Sequence, residues 1–265
     1  MPTTLPPNTP SPLSDDEIRD DEIHRVENPD RRFVSGPRGR WQEFKTLLAV
    51  SSDFLRGFRT LHFVGPCVTI FGSARIKDGH PYYELTRRMG HATAKLGFTV
   101  LTGGGPGLME AANRGAREAG GHSVGINIIL PFEQSINPYV DLSVDMEFFF
   151  TRKTLLIKYS YAFIVMPGGL GTMDELYEAL TLIQTGKVRN FPVILAGRAY
   201  WQPMLDAIYR MRDEGMISPH DLDLLSVTDD VDEAMAVLND KAIKAFNLHR
   251  SKVPKRIRIL GERGL

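Results

Sequence analysis

An α/β fold, built as a doubly wound parallel sheet, is predicted by three features of the sequence. Short apolar runs alternate with amphipathic helical segments from Val68 onward. Two of those runs end in glycine-dense turns, Gly103-Gly-Gly-Pro-Gly107 and Pro167-Gly-Gly-Leu-Gly171, and a helical pattern follows each turn. Continuously apolar strands belong in a sheet covered by helices on both faces. Ligands of such sheets bind at the carboxyl ends of the strands, where both glycine turns fall.

Taken in order, residues 1–40 read as a flexible tail. Pro2, Pro6, Pro7, Pro10 and Pro12 precede an acidic cluster, Asp15 to Glu17 and Asp20 to Glu22, and a basic patch of Arg31, Arg32, Arg38 and Arg40. Too few apolar residues interrupt this stretch for it to order alone. Residues 41–62 read as an amphipathic helical extension. Trp41, Phe44, Leu47, Leu48, Phe54, Leu55 and Phe58 fall near helical spacing, suited to the core or to another subunit.

Residues 63–249 carry the α/β body. Strands are expected over 68–72, 98–102, 122–130, 142–150, 162–166, 193–196 and 223–227. Helices are expected over 81–96, 108–119, 151–160, 200–212 and 231–249, with another continuing from the second glycine turn through Leu176, Leu180 and Ile183. Residues 250–265 form a basic tail, with Lys252, Lys255, Arg256, Arg258 and Arg263 expected to be solvated.

The totals narrow the classes of function. A chain of 265 residues, 42% apolar, fits one large α/β domain with extensions or two small domains. Lys plus Arg and Asp plus Glu are both 32, so the basic excess used to bind nucleic acid or anionic membranes is missing. A local basic site for one phosphate is compatible with that balance. The single cysteine, Cys67, lies in an apolar run and reads as a buried, inert thiol. No CxxC pair or HExxH occurs, so no metal site is expected. The polar N-terminus lacks the apolar centre of a signal peptide, and no run of about 18 apolar residues suits a membrane span. A cytoplasmic protein is expected.

The chemistry centres on Pro167 to Glu175. Strand, glycine turn and helix gather free backbone N–H groups at a positive helix end, which attracts phosphate. Neither turn is a dinucleotide fingerprint: Leu108 and Asp174 occupy the third glycine positions. No GxxxxGK[ST] occurs either, so nicotinamide and P-loop chemistry lose their motif support. Thr172-x-x-Glu175 also fits a capping box, with Thr172 as N-cap and Glu175 at N3, a role compatible with phosphate held by the same helix end. Arg152-Lys153, fifteen residues before Pro167, is an ordinary surface pair by itself and an anion or hydroxyl contact if it lies beside the turn.

Arg152-Lys153 together with Ala162-Phe-Ile-Val-Met-Pro-Gly-Gly-Leu-Gly-Thr-Met-Asp-Glu175 resembles the paired RK and PGGxGTxxE motifs of the Lonely Guy family. These are cytokinin riboside 5′-monophosphate phosphoribohydrolases, long labelled lysine decarboxylase-like. Gly103 to Met109 and Phe71-Gly-Ser-Ala-Arg75 are similar to further segments of that family. The likeness spans about residues 65–245, and the extensions are similar to those of longer bacterial members. The resemblance implies a Rossmann-like homo-oligomer, built on a dimer unit and extending up to a hexamer, that cleaves the N-glycosidic bond of a nucleoside 5′-monophosphate. It implies catalytic roles for Arg152 and Glu175 and no metal or redox cofactor. Nucleotide contacts are expected from Gly168, Gly169, Gly171, Thr172 and Lys153, and from Ser73, Arg75, Gly104, Gly105 and Met109. Phe148-Phe-Phe-Thr151 departs from the more polar segment of many short members, which leaves base preference open. Three other readings remain: a pyridoxal-phosphate decarboxylase using Lys153 or Lys158, a nucleotide-binding or carrier module without catalysis, and a nucleosidase of broader base range.

Overall fold

The computed structural model describes residues 29–130, 135–189, 191–244, 261–262 and 265. Two helices come first, α1 (Pro29–Val34) and α2 (Arg40–Leu61), followed by β1 (Cys67–Phe71), α3 (Pro81–Lys95), β2 (Thr99–Thr102) and α4 (Leu108–Glu118). Then come β3 (Ser123–Ile128), β4 (Leu142–Met146), α5 (Phe149–Tyr159), β5 (Ser160–Val165) and α6 (Leu170–Gln184). The chain continues with β6 (Val193–Leu195), α7 (Arg198–Asp213), β7 (Leu225–Val227) and α8 (Val231–Leu238).

The seven strands form one parallel sheet in the order β4-β3-β2-β1-β5-β6-β7. Successive residues of a strand face opposite sides, and both sides are filled. Phe71, Leu101, Ile126 and Phe163 meet Leu155 and Leu156 of α5, Leu176 of α6 and Trp201 of α7. Ile70, Val100 and Ile164 meet Tyr83 and Met89 of α3, Ala112 of α4 and Leu238 of α8. Burial on both faces explains why the strands are apolar throughout rather than alternating. Cys67 is buried in this core, and desolvation pushes its thiol up to about 12.

The sheet grows from β1 in one direction through β4, and the chain then returns to place β5 on the other side of β1. The crevice beyond the carboxyl ends of β1 and β5 is therefore the topological switch point. Backbone pairing continues past both strands there: Met166 N donates to Phe71 O at 2.8 Å and Ser73 N to Pro167 O at 2.9 Å. Leu108 N donates to Ser73 O at 2.9 Å, so the end of β1 is stitched to both glycine turns. A Cβ on Gly72 would lie 2.8 Å from Leu108 Cβ, an approach only glycine permits.

Several boundaries differ from expectation. The strand expected over 142–150 ends at Met146, and α5 begins at Phe149. Phe148 to Phe150 look strand-like by composition, but carboxylates from α1 and α2 accept the N–H groups of residues 147–149 and open a helix there. Within the expected tail, Pro29–Val34 is helical, and the Phe33 ring packs 5.0 Å from that of Phe150. The strand expected over 223–227 starts at Leu225, after a 3₁₀ helix at Pro219–Leu224. The helix expected over 231–249 becomes π-helical at Asn239–Lys244. Residues 245–249, the basic residues Lys252 to Arg258 and Arg263, and the prolines and acidic cluster of 1–28 lie outside the described residues.

Candidate active site

The second glycine turn opens α6 earlier than a capping box would allow. Gly169 is the N-cap, Leu170 the first helical residue, and no side chain caps the end. The expected capping box is thus corrected: Thr172 lies within the helix, because the glycines let the chain enter it three residues sooner. Met173 N to Gly169 O, at 3.1 Å, is the first backbone bond, leaving the N–H groups of Leu170, Gly171 and Thr172 at the helix end. A Cβ on Gly169 or Gly171 would meet nothing within 4 Å, so open space lies over this end. Gly168, by contrast, is buried against Thr172, whose Oγ1 a Cβ would strike. The Tyr200 hydroxyl donates to Gly168 O and ties the turn to α7.

Freed from capping, Glu175 points into the protein. It is 7% exposed, and its Oε2 is buried with no hydrogen-bond partner. A buried carboxylate without a partner disfavours its charged form. Burial pushes the Glu175 pKa up to about 7, against the opposing pull of Arg152 and Lys153.

Arg152 reaches the same region from the first turns of α5. Its Nε donates to Ile126 O at 2.9 Å, at the carboxyl half of β3. Its Nη2 lies so close to Gly103 that a Cβ there would collide with it, and the same Cβ would come within 2.8 Å of Met109 Sδ. A Cβ on Gly105 would approach Met109 Cε to 2.8 Å. Gly103, Gly105, Met109 and Arg152 therefore form one wall. Burial pushes the guanidinium pKa down, and the Glu175 charge pulls it back up. The two groups influence each other without forming an ion pair.

The first glycine turn is held by buried polar groups. Asn137 Nδ2 donates to Gly104 O at 3.1 Å, Gly105 O at 3.0 Å and Asn113 Oδ1 at 2.9 Å. Gly104 N donates to Thr102 Oγ1 at 2.9 Å, and Asn113 Nδ2 to Ser123 Oγ at 2.7 Å. Gly104 itself has φ +75°, which favours glycine. Asn113, Asn137 and Tyr200 escaped the sequence reading. An asparagine inside the helical run 108–119 is the one available hint, since a polar residue on an apolar face needs partners.

The other expected residues divide. Ser73 sits at the switch point through its backbone bonds. Arg75 is exposed, with its backbone N donating to Ser73 Oγ at 3.1 Å, and no hydrogen bond or ion pair joins its side chain to Arg152 or Glu175. Lys153 is engaged by Asp174 at 2.6 Å and Glu178 at 2.8 Å, which bridges α5 to α6. Its pKa is raised, the ion pairs outweighing burial. Lys158 lies over the rings of Phe58 and Tyr159. Neither lysine makes a hydrogen bond or ion pair to the glycine turns. Among the described residues there is no cluster of three or more His, Cys, Asp or Glu suited to a metal, and no helix long and apolar enough to cross a membrane.

A family model described as "Possible lysine decarboxylase" matches residues 109–238. The cytokinin riboside 5′-monophosphate phosphoribohydrolase of Rhodococcoides fascians is 32% identical over 177 residues, covering 64% of this chain and 88% of its own. That of Mycobacterium tuberculosis is 32% identical over 155 residues, covering 57% and 82%. Among solved structures, the molybdenum cofactor carrier protein of Chlamydomonas reinhardtii superposes with TM-score 0.50 at 25% identity, over 67% of this chain and 98% of that one. The molybdenum cofactor binding protein of Rippkaea orientalis, at 22% identity and TM-score 0.51 over 69% and 98%, shares the fold.

Proposed function

This chain belongs to the Lonely Guy family of cytokinin riboside 5′-monophosphate phosphoribohydrolases, and we propose that it hydrolyses adenosine 5′-monophosphate or an N6-substituted form to free base and ribose 5-phosphate. The 5′-phosphate rests on the open end of α6, against the N–H groups of Leu170, Gly171 and Thr172. Gly169 and Gly171 keep side chains out of its way, and Gly168 lets the turn close on Thr172. Arg152 orients the ribose, and the wall of Gly103, Gly105 and Met109 lines the pocket, with Gly104 in the same turn.

As the bond to the base stretches, positive charge collects on the ribose. An ionised Glu175 stabilises that charge and activates the attacking water. Water supplies a hydroxyl to C1′ and a proton to the departing base, which takes the bonding electron pair. A carboxyl group with a pKa near neutrality is matched to such proton transfer. The observation that carries this reading is Glu175: a buried carboxylate with an unpartnered oxygen, not a helix cap, close enough to Arg152 for their charges to interact.

The test is chromatographic detection of free base over a panel of nucleoside 5′-monophosphates, with the matching nucleosides alongside. Base release that requires the phosphate supports the reading. Tight binding of adenosine 5′-monophosphate without base release would instead favour a carrier, the role named for the Chlamydomonas relative.

A homo-oligomer in the cytoplasm completes the proposal. Trp41, Phe44, Leu47, Leu48, Leu55 and Phe58 of α2 are exposed on the side opposite its buried Asp53, Gly57, Thr60 and Leu61. A helix anchored on one side that leaves an apolar stripe exposed on the other suits a contact between copies.

A further inference from the structure

Helix α5 carries Arg152 and Lys153 in its first turns, where the helix dipole disfavours positive charge. It has no acidic residue in its first turn, and its N-cap, Phe148, has no side chain that can cap. Both deficits are met from outside the α/β body. Asp53 of α2, fully buried, accepts from Glu147 N at 3.1 and 3.2 Å, from Phe148 N at 3.3 Å and from the Thr151 hydroxyl. Asp30 of α1 accepts from Phe149 N at 3.1 Å. Three successive backbone N–H groups leading into α5, those of Glu147, Phe148 and Phe149, are thus held by carboxylates of the N-terminal helices.

The connection to Arg152 is short. Arg152 N donates to Phe148 O at 3.2 Å, and Phe148 is itself gripped by Asp53. Thr151, the residue before Arg152, bonds to both Asp53 and Phe148 O. Arg56 secures α2 to the same corner, donating to Asp145 O and Glu147 at 3.0 Å each. At Gly57 a Cβ would strike Leu155, one turn further along α5.

We propose that Asp53, assisted by Asp30, is a positioning residue for catalysis: it fixes the first turn of α5 and so sets where the Arg152 guanidinium lies. The N-terminal helices are then part of the active-site scaffold rather than an appendage. This rests on the role given to Arg152 under the proposed function. A misplacement of the guanidinium by about 1 Å is enough to cost up to roughly a hundredfold in rate. The 5′-phosphate is held by N–H groups of α6 itself, so the loss falls chiefly on kcat.

The test compares Asp53→Ala, Asp53→Asn and Asp30→Asn in the full chain. Three quantities are read: kcat and KM for adenine release from adenosine 5′-monophosphate, amide hydrogen exchange, and Tm. Asp53→Ala is expected to lower kcat roughly ten- to a hundredfold with KM within about threefold, and Asp53→Asn, which keeps an acceptor oxygen, to restore part of the loss. Exchange should quicken in residues 147–153 but not in α3 and α4. Folded Asp53 variants with kcat within about twofold of wild type would overturn the proposal, leaving Asp53 a mere anchor for α2. Unchanged exchange in residues 147–153 would overturn it too, as would a rise spread over the whole chain. Should Asp53→Ala fail to fold, Asp53→Asn and Asp30→Asn decide by the same criteria. If wild type releases no base from any nucleotide, the functional reading falls, while exchange still decides whether Asp53 holds α5.

Discussion

At the scale of single residues, the proposed role of Glu175 sets a pH behaviour. A mechanism that uses its ionised form predicts that kcat rises with pH through a midpoint near 7. The same displacement acts on stability. The folded pKa lies above the ordinary 4.5, so the folded state holds its proton more tightly than the unfolded state. Below about pH 4 both states are protonated and the residue is neutral to stability. Between about pH 4.5 and 7 the unfolded state loses this proton while the folded state keeps it, so stability falls by up to about 3 kcal/mol and levels off above 7. Glu175→Gln should therefore unfold at higher temperature than wild type at pH 8 and at the same temperature at pH 4, as read by calorimetry. Equal Tm at both pH values would contradict the burial of an unpartnered carboxylate.

Gly103 offers a second residue-scale test. An added Cβ there meets the side-chain ends of Arg152 and Met109 rather than backbone. Gly103→Ala should cost about 1–3 kcal/mol of stability, because both Arg152 and Met109 must shift, and lower kcat about tenfold or more. Urea unfolding and steady-state kinetics on one sample separate the two effects.

At the scale of elements, the glycine turns are only as rigid as what surrounds them. Asn137 is buried and makes three bonds into the first turn and to Asn113. Asn137→Ala should destabilise by about 1–3 kcal/mol through the acceptors it abandons. The order of strands and helices was legible because burial on both sheet faces leaves continuous apolar runs, and helix starts carry glycine or proline. The Arg152–Glu175 pairing was legible through a family likeness and not through spacing alone. What escaped was tertiary. The start of α5 is decided by Asp30 and Asp53, the latter 95 residues from the Phe148 N–H it accepts, and no local pattern shows that. The capping box was a correct local match that lost to the glycines, which start α6 earlier. Nor does any local pattern show that Asp174 and Glu178 hold Lys153 in a bridge between α5 and α6.

At the scale of the whole molecule, one sheet places both glycine turns at the β1–β5 crevice, and the N-terminal helices brace its RK helix from outside. The outward apolar face of α2 should join copies. Replacing Leu48 and Leu55 together by Glu should lower the mass measured by light scattering, since buried unpaired charge opposes the contact. An unchanged mass would place the interface elsewhere.

The most direct measurement of the central claim is the product balance with adenosine 5′-monophosphate, wild type beside Glu175→Gln. Wild type should release adenine and ribose 5-phosphate in equal amounts. The variant, folded and still binding the nucleotide, should turn over at least about 10²-fold more slowly. Near-normal adenine release by Glu175→Gln would contradict the account, since the buried carboxylate would then not be carrying the chemistry.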